Sequence, residues 1–185
     1  MMMLVIGGAS CGKSAYAEEA ARKGPVPRYY LAAMRPYGEK GLRRVERHRA
    51  LRAGKGFETI ERYTDLASLT LPPPDTDGSG IKEKRGTVLL ECVGNLTANE
   101  MFDEEGNMSD PADRVVRGVA HLKDLCRLLV VVTNNVGSDG VEYAESTRAY
   151  ISSLGKINAA LAAAADTVVE VVAGIPVLLK GELPV

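Results

Sequence analysis

Runs of apolar residues recur along the chain, separated by segments with helical spacing. Met2 to Ile6 reads as a buried strand, and Ser14 to Arg22, rich in alanine and glutamate, as a helix. "PRYYLAAM" (Pro27 to Met34) predicts a second strand and Glu39 to Gly54 a basic helix. "FETIE" (Phe57 to Glu61) alternates like a short half-buried strand. "GTVLLEC" (Gly86 to Cys92) predicts a buried strand, with a helix after it running to about Phe102. Asp110 to Arg127 predicts a helix with Asp110 as N-cap and Pro111 at its first position. Leu128 to Asn135 predicts another strand, Tyr143 to Ala165 a long helix, and "DTVVEVVAG" and "IPVLLKG" two final strands. Uninterrupted β-branched runs between helices imply a mainly parallel sheet covered on both faces. The last two strands are joined too tightly for a crossover helix, which predicts an antiparallel hairpin. Thr70 to Gly86, proline-rich and then polar, reads as an exposed loop inside one domain spanning residues 1–185.

Between the first strand and the first helix lies Gly7-Gly8-Ala9-Ser10-Cys11-Gly12-Lys13-Ser14, which fits G-x-x-x-x-G-K-[ST]. Glycines allow backbone N–H groups to wrap a polyphosphate. Lys13 is placed to meet the β- and γ-phosphates and the Ser14 hydroxyl to hold Mg²⁺. The following helix directs its positive end at the same anion. Strand, loop and helix in that order predict a P-loop NTPase-like three-layer α/β fold.

Composition narrows the partners. The 185 residues carry a formal net charge of −1, so no global charge favours nucleic acid. No apolar stretch has the length of a membrane span, and the N-terminal run lacks the basic leader of a signal peptide. Cys11, Cys92 and Cys126 form neither a C-x-x-C pair nor an even disulfide set, which predicts a reducing cytoplasm. With two histidines, a zinc site is not expected.

Two further candidates stand out. Glu91 ends a strand, where a P-loop protein places the acid that completes a Mg²⁺ site on a neighbouring strand; a charged strand cap is the other reading. Arg44, His48 and Arg52 share one face of the predicted basic helix, within seven Lys/Arg residues between Lys40 and Lys55. Such a patch attracts phosphate and keeps an imidazole neutral and nucleophilic; a solvated basic face with an incidental histidine is the alternative. His121, among Val119, Leu122 and Leu125, reads as structural or surface.

In this order the segments resemble the adenosylcobinamide kinase/adenosylcobinamide-phosphate guanylyltransferase family of cobalamin biosynthesis. The resemblance rests on the loop at the start of the chain, on "RRVERHR" followed by "FETIE", and on "LLECVGNLTAN", "VVVTNNVG" and "GKINAALAAAADTVVEVVAGIPVLLK". It implies phosphorylation of adenosylcobinamide, then transfer of GMP from GTP to that phosphate through a guanylylated histidine, His48. It also implies ATP or GTP as co-substrate, Glu61 and Glu91 at nucleotide and magnesium positions, and a homotrimer.

Several positions depart from the family pattern. Its Ala-Thr-Ser after the second strand reads Ala32-Ala33-Met34, so hydroxyls near the nucleotide are lost. Its Thr-Asn-Glu-Val-Gly reads Thr133-Asn134-Asn135-Val136-Gly137, and its Gly-Arg-x-Asn reads Gly155-Lys156-Ile157-Asn158. Gly94 and Ala98 replace two threonines. The expected function is the bifunctional transferase, with two alternatives: a P-loop kinase without the guanylyl half, and a nucleotide-binding module without turnover.

Overall fold

A computed structural model describes residues 1–36, 38–39, 41, 43, 46, 54–72, 85–103, 105–137 and 140–183. Its strands are β1 (Met2–Ile6), β2 (Arg28–Ala32), β3 (Glu58–Glu61), β4 (Arg85–Glu91), β5 (Cys126–Val132), β6 (Thr167–Val172) and β7 (Ile175–Lys180). Its helices are α1 (Lys13–Lys23), α2 (Val93–Met101), α3 (Ala112–Leu125) and α4 (Glu145–Ala164), with a 3₁₀ turn at Leu66–Ser68.

The strands form one sheet in the order β3-β2-β4-β5-β1-β6-β7. All neighbours pair parallel except β6 and β7, which form the antiparallel hairpin that the short connection predicts. Burial on both faces explains the unbroken apolar sequence of the central strands. On one face Met3, Val5, Val130 and Val132 meet Ala17, Ala20 and Ala21 of α1. Small alanines let that helix lie close to the sheet. On the other face Leu4, Leu90, Leu129 and Val131 pack under α2, α3 and α4 through Leu96, Val119, Leu122, Leu154 and Ile157. Burial of such side chains contributes roughly 1.5–3 kcal/mol each.

Most boundaries differ from the sequence reading by one to three residues, and three differences are instructive. The third helix stops at Leu125, and β5 begins at the next residue, Cys126. No glycine or proline marks that junction, so the apolar strand residues extend the helical pattern. At its start the helix is capped from Asp110, whose Oδ1 accepts the Ala112 N–H at 3.1 Å, with Pro111 at the cap position. The segment Thr70 to Gly86 is not exposed throughout. Leu71 is 3% exposed within the core, and Arg85 and Gly86 already belong to β4; residues 73–84 lie outside the described residues. Of the predicted basic helix, Glu39, Gly41, Arg43 and Glu46 are helical. His121 is structural, its Nε2 lying 2.8 Å from the Leu69 carbonyl oxygen.

Candidate active site at the carboxyl edge of the sheet

Because six strands run parallel, the segments following β1 to β6 all emerge along one edge, where α/β proteins bind ligands. The register places Glu61, Ala32, Glu91, Val132 and Val5 in one row across β3, β2, β4, β5 and β1. These residues share the α1 side of the sheet, so both acids face the layer that carries the phosphate loop.

The loop is held by its surroundings. At Gly7 a Cβ would lie 2.6 Å from both the Cys11 sulfur and the Val171 carbonyl oxygen, so no side chain fits there. Gly12 caps α1 at φ 95°, a left-handed conformation that glycine adopts without strain. The Asn135 N–H donates to the Gly7 oxygen at 3.0 Å, and the Gly174 N–H, from the β6–β7 turn, donates to the Cys11 oxygen at 2.8 Å. Ala9, Ser10 and Ser14 complete the loop's rim, and Ser10 also has positive φ, at 56°. Lys13 is buried, only 7% exposed, and its Nζ donates to the Gly8 oxygen at 2.7 Å. The motif suggests a lysine reaching outward for phosphate; here it bonds back to the loop's own Gly8 carbonyl.

Glu91 is not on a strand adjacent to β1, as expected from sequence; β5 intervenes. Two strand spacings of about 4.8 Å separate the two strands, which leaves room for a phosphate and a hydrated cation between them. Tyr30 on β2 donates its hydroxyl to Glu91 Oε2 at 2.7 Å, fixing the orientation of the carboxylate. Burial pushes the neighbouring Cys92 thiol up; the Glu91 charge acts in the same direction and the Lys13 ammonium opposes it. Both charges therefore bear on this thiol from the floor of one site.

The exits of β2 and β3 are joined. Ala33 is buried, with its N–H donating to the Glu91 oxygen at 3.0 Å, and Met34 is half-buried beside it. Asn99 of α2 donates through Nδ2 to the Ala33 oxygen at 2.8 Å and the Tyr63 oxygen at 3.0 Å. Tyr63 in turn donates its hydroxyl to Glu61 Oε2 at 2.7 Å. Arg35 stands over the Tyr63 ring, 5.7 Å from its centre. Asn99, Tyr30, Tyr63 and Arg35 escaped the sequence reading. None belongs to the loop motif, and apart from the Tyr63–Glu61 bond their partners are 28 to 66 residues distant. His48, Arg44 and Arg52 lie outside the described residues.

Some departures from the family pattern find local explanations. At residue 94 a Cβ would lie 2.8 Å from Asn134 Nδ2 and 3.0 Å from the Tyr150 hydroxyl, which donates to the Gly94 oxygen at 3.2 Å. Burial pushes Tyr150 up to about 12, so it stays a donor at neutral pH. Lys156 pairs with Asp110 at 2.9 Å, while Asn158 accepts from Thr133 and donates to the Asn134 oxygen, steadying the segment after β5.

A glycine-built anion loop on a helix N-terminus, with a lysine inside it and acids along the same sheet edge, defines a P-loop nucleotide-binding protein. The family model for cobinamide kinase / cobinamide phosphate guanyltransferase, CobU, matches residues 3–179. The chain belongs to this family. It is 32% identical over 191 residues to the bifunctional adenosylcobalamin biosynthesis protein CobU of Escherichia coli K12, covering 97% of this chain and 100% of that one. The corresponding CobP of Pseudomonas aeruginosa is 31% identical over 183 residues, covering 98% and 99%. Among solved structures, the P4 protein from bacteriophage phi6 in complex with ADP aligns over 95% of this chain and 52% of that one, with a TM-score of 0.45 and 10% identity.

Proposed function

We propose that this chain, acting as a single transferase domain, phosphorylates adenosylcobinamide and then transfers GMP from GTP to adenosylcobinamide phosphate. The observation that carries the proposal is the formed phosphate loop around Lys13, in a chain that matches a bifunctional family along nearly its whole length. Relatives named as bifunctional weigh against a kinase without the guanylyl half and against a module without turnover.

In the kinase step the loop's N–H groups and the α1 terminus bind the triphosphate. Lys13 exchanges the Gly8 carbonyl for phosphate oxygen as the γ-phosphoryl moves to the aminopropanol hydroxyl of adenosylcobinamide. Positioning and charge neutralisation account for most of the rate. Among the described residues no cluster of three or more His, Cys, Asp or Glu could hold a metal by itself. A cation brought by the nucleotide takes few protein ligands. Ser14 and Glu91, both hard oxygen donors, fit that role, Glu91 keeping Oε1 opposite the oxygen that takes Tyr30. When bound, the cation neutralises charge on the phosphates.

In the second step His48 attacks the α-phosphorus of GTP. A P–N bond forms as the bond to pyrophosphate breaks. An oxygen of adenosylcobinamide phosphate then attacks the same phosphorus, the P–N bond breaks, and the histidine is restored. Glu61 and Ala32, Ala33 and Met34 are assigned to the nucleotide, and Arg44 and Arg52 to assisting phosphate binding. The enzyme works in the cytoplasm, a reading supported by free thiols at Cys11, Cys92 and Cys126. No helix among the described residues is long and apolar enough to cross a membrane. Assembly as a homotrimer is supported by the bare apolar strand β7. Incubation with α-labelled GTP and Mg²⁺ tests the function: acid-labile, alkali-stable label on the protein, chased by adenosylcobinamide phosphate, is the expected result. Kinase turnover with no label would support the kinase-only alternative.

A further inference from the structure

Asn134 follows β5, the strand that lies between the phosphate-loop strand β1 and the strand β4 that ends in Glu91. Its backbone is fixed on two sides. The Thr133 N–H donates to the Val5 oxygen at 2.9 Å and the Asn135 N–H to the Gly7 oxygen at 3.0 Å. These bonds carry the β1–β5 ladder into the first residue of the loop and hold Asn134 beside it. From α4, Asn158 accepts the Thr133 hydroxyl at 2.6 Å and donates to the Asn134 oxygen at 3.0 Å. The side chain crosses towards β4, where its Nδ2 lies 3.8 Å from the sulfur of Cys92, the residue after Glu91. A thiol sulfur is a weak acceptor and leaves the second amide hydrogen unused. Among the described residues Oδ1 takes no hydrogen bond, and it is open to solvent. Glycine at 94 leaves space for this amide, since a Cβ there would lie 2.8 Å from Nδ2.

What the amide meets there follows from the helices around it. α1, which opens at Lys13, packs over β5 and β4 more than over its own strand β1. Lys13 and the helix N-terminus therefore lie over the strands that Asn134 links. α2 begins at Val93 and brings the positive end of a second helix to the same exit. In a phosphate loop the backbone N–H groups surround the inner phosphates, so the terminal one is left to Lys13 and to donors outside the loop. We propose that Asn134 is a further catalytic residue of the kinase step, its Nδ2–H donating to the terminal phosphate of the nucleotide held at Lys13. This inference rests on the phosphate-loop reading above. A neutral donor held by its backbone is already aimed before the phosphoryl group moves, so it acts in binding and in transfer.

Calorimetric titration of the full chain with α,β-methylene GTP, and separately with α,β-methylene GDP, tests it. The two analogues differ only in the terminal phosphate, and neither can be cleaved at the α-phosphorus. Wild type is expected to bind the triphosphate more tightly. Asn134→Ala should lose roughly tenfold to hundredfold in triphosphate affinity, the effect of a hydrogen bond to a charged group, and keep its diphosphate affinity. Asn134→Asp has nearly the same shape but turns a negative charge on the phosphate, so it should lose more than Asn134→Ala. A purely structural role would lower both affinities together and make Asn134→Asp the milder change. An Asn134→Ala chain that keeps the wild-type gap between the analogues, or loses both affinities equally, overturns the assignment. So does tighter triphosphate binding by Asn134→Asp than by Asn134→Ala. Equal wild-type binding of the two analogues overturns the assignment alone. Wild-type binding of neither overturns the phosphate-loop reading with it.

Discussion

Lys13 holds a positive charge in a buried position against one carbonyl, an arrangement that costs desolvation until a phosphate arrives. Lys13→Ala should therefore melt at or slightly above the wild-type temperature without nucleotide, yet lose at least about 10²-fold in phosphoryl transfer at saturating nucleotide. Thermal melts and steady-state kinase assays read the two effects separately. His48 makes the opposite division. His48→Ala should abolish GMP labelling and formation of GDP-cobinamide while phosphorylation of adenosylcobinamide survives, because that transfer needs no covalent histidine. Arg44→Ala and Arg52→Ala should weaken labelling without eliminating it. Label retained in His48→Ala would move the nucleophile elsewhere. At this scale the motif made the loop legible, but the inward turn of Lys13 was not. A lysine's direction depends on which acceptor lies nearest, and here that is Gly8 of the same loop.

Among elements, α3 and α4 are joined at Asp110. Its carboxylate caps Ala112, accepts from Ser153 Oγ at 2.9 Å and pairs with Lys156. The hydrogen bond from Lys156, with those from Ala112 and Ser153, lowers Asp110 from 3.8 to about 2. A depressed folded-state value contributes stability that is fully present above the unfolded value and lost as pH falls through the folded one. Asp110→Asn should thus lower the melting temperature at pH 7, and the gap from wild type should close between about pH 4 and pH 2. Melts across that range check it; a gap independent of pH would reduce Asp110 to a neutral cap. Elements were largely readable because the central strands β1 and β5 are mostly apolar runs, β3 alternates, and the helices keep their period. The strand order was not. That β5 separates β1 from Glu91's strand depends on contacts distant in sequence, which local pattern does not encode. Arg35 and Asn99 stayed hidden for the same reason, since their meaning arises only where the exits of β2 and β3 meet.

At the scale of the molecule, the β7 edge of the sheet is apolar and exposed among the described residues. β7 exposes Ile175 by 65%, Val177 by 43% and Leu179 by 58%, and Lys180, its one charged residue, is turned onto the Ala162 and Ala163 carbonyls. An apolar edge strand without outward charge invites pairing. If the homotrimer forms through β7, Val177→Lys should reduce the sedimenting species from three chains to one, with the circular dichroism of the fold unchanged. A trimer that persists in this variant would place the contact on another surface.

The β6–β7 turn that donates Gly174 N–H to Cys11 has one more consequence for such an assembly. A neighbour seated on β7 and a triphosphate in the loop would press on opposite ends of the same short hairpin. Linkage then makes them mutual effectors: the factor by which nucleotide tightens association equals the factor by which association tightens nucleotide. Protein concentration itself becomes a regulator, and dilution should weaken GTP binding in wild type but leave Val177→Lys indifferent.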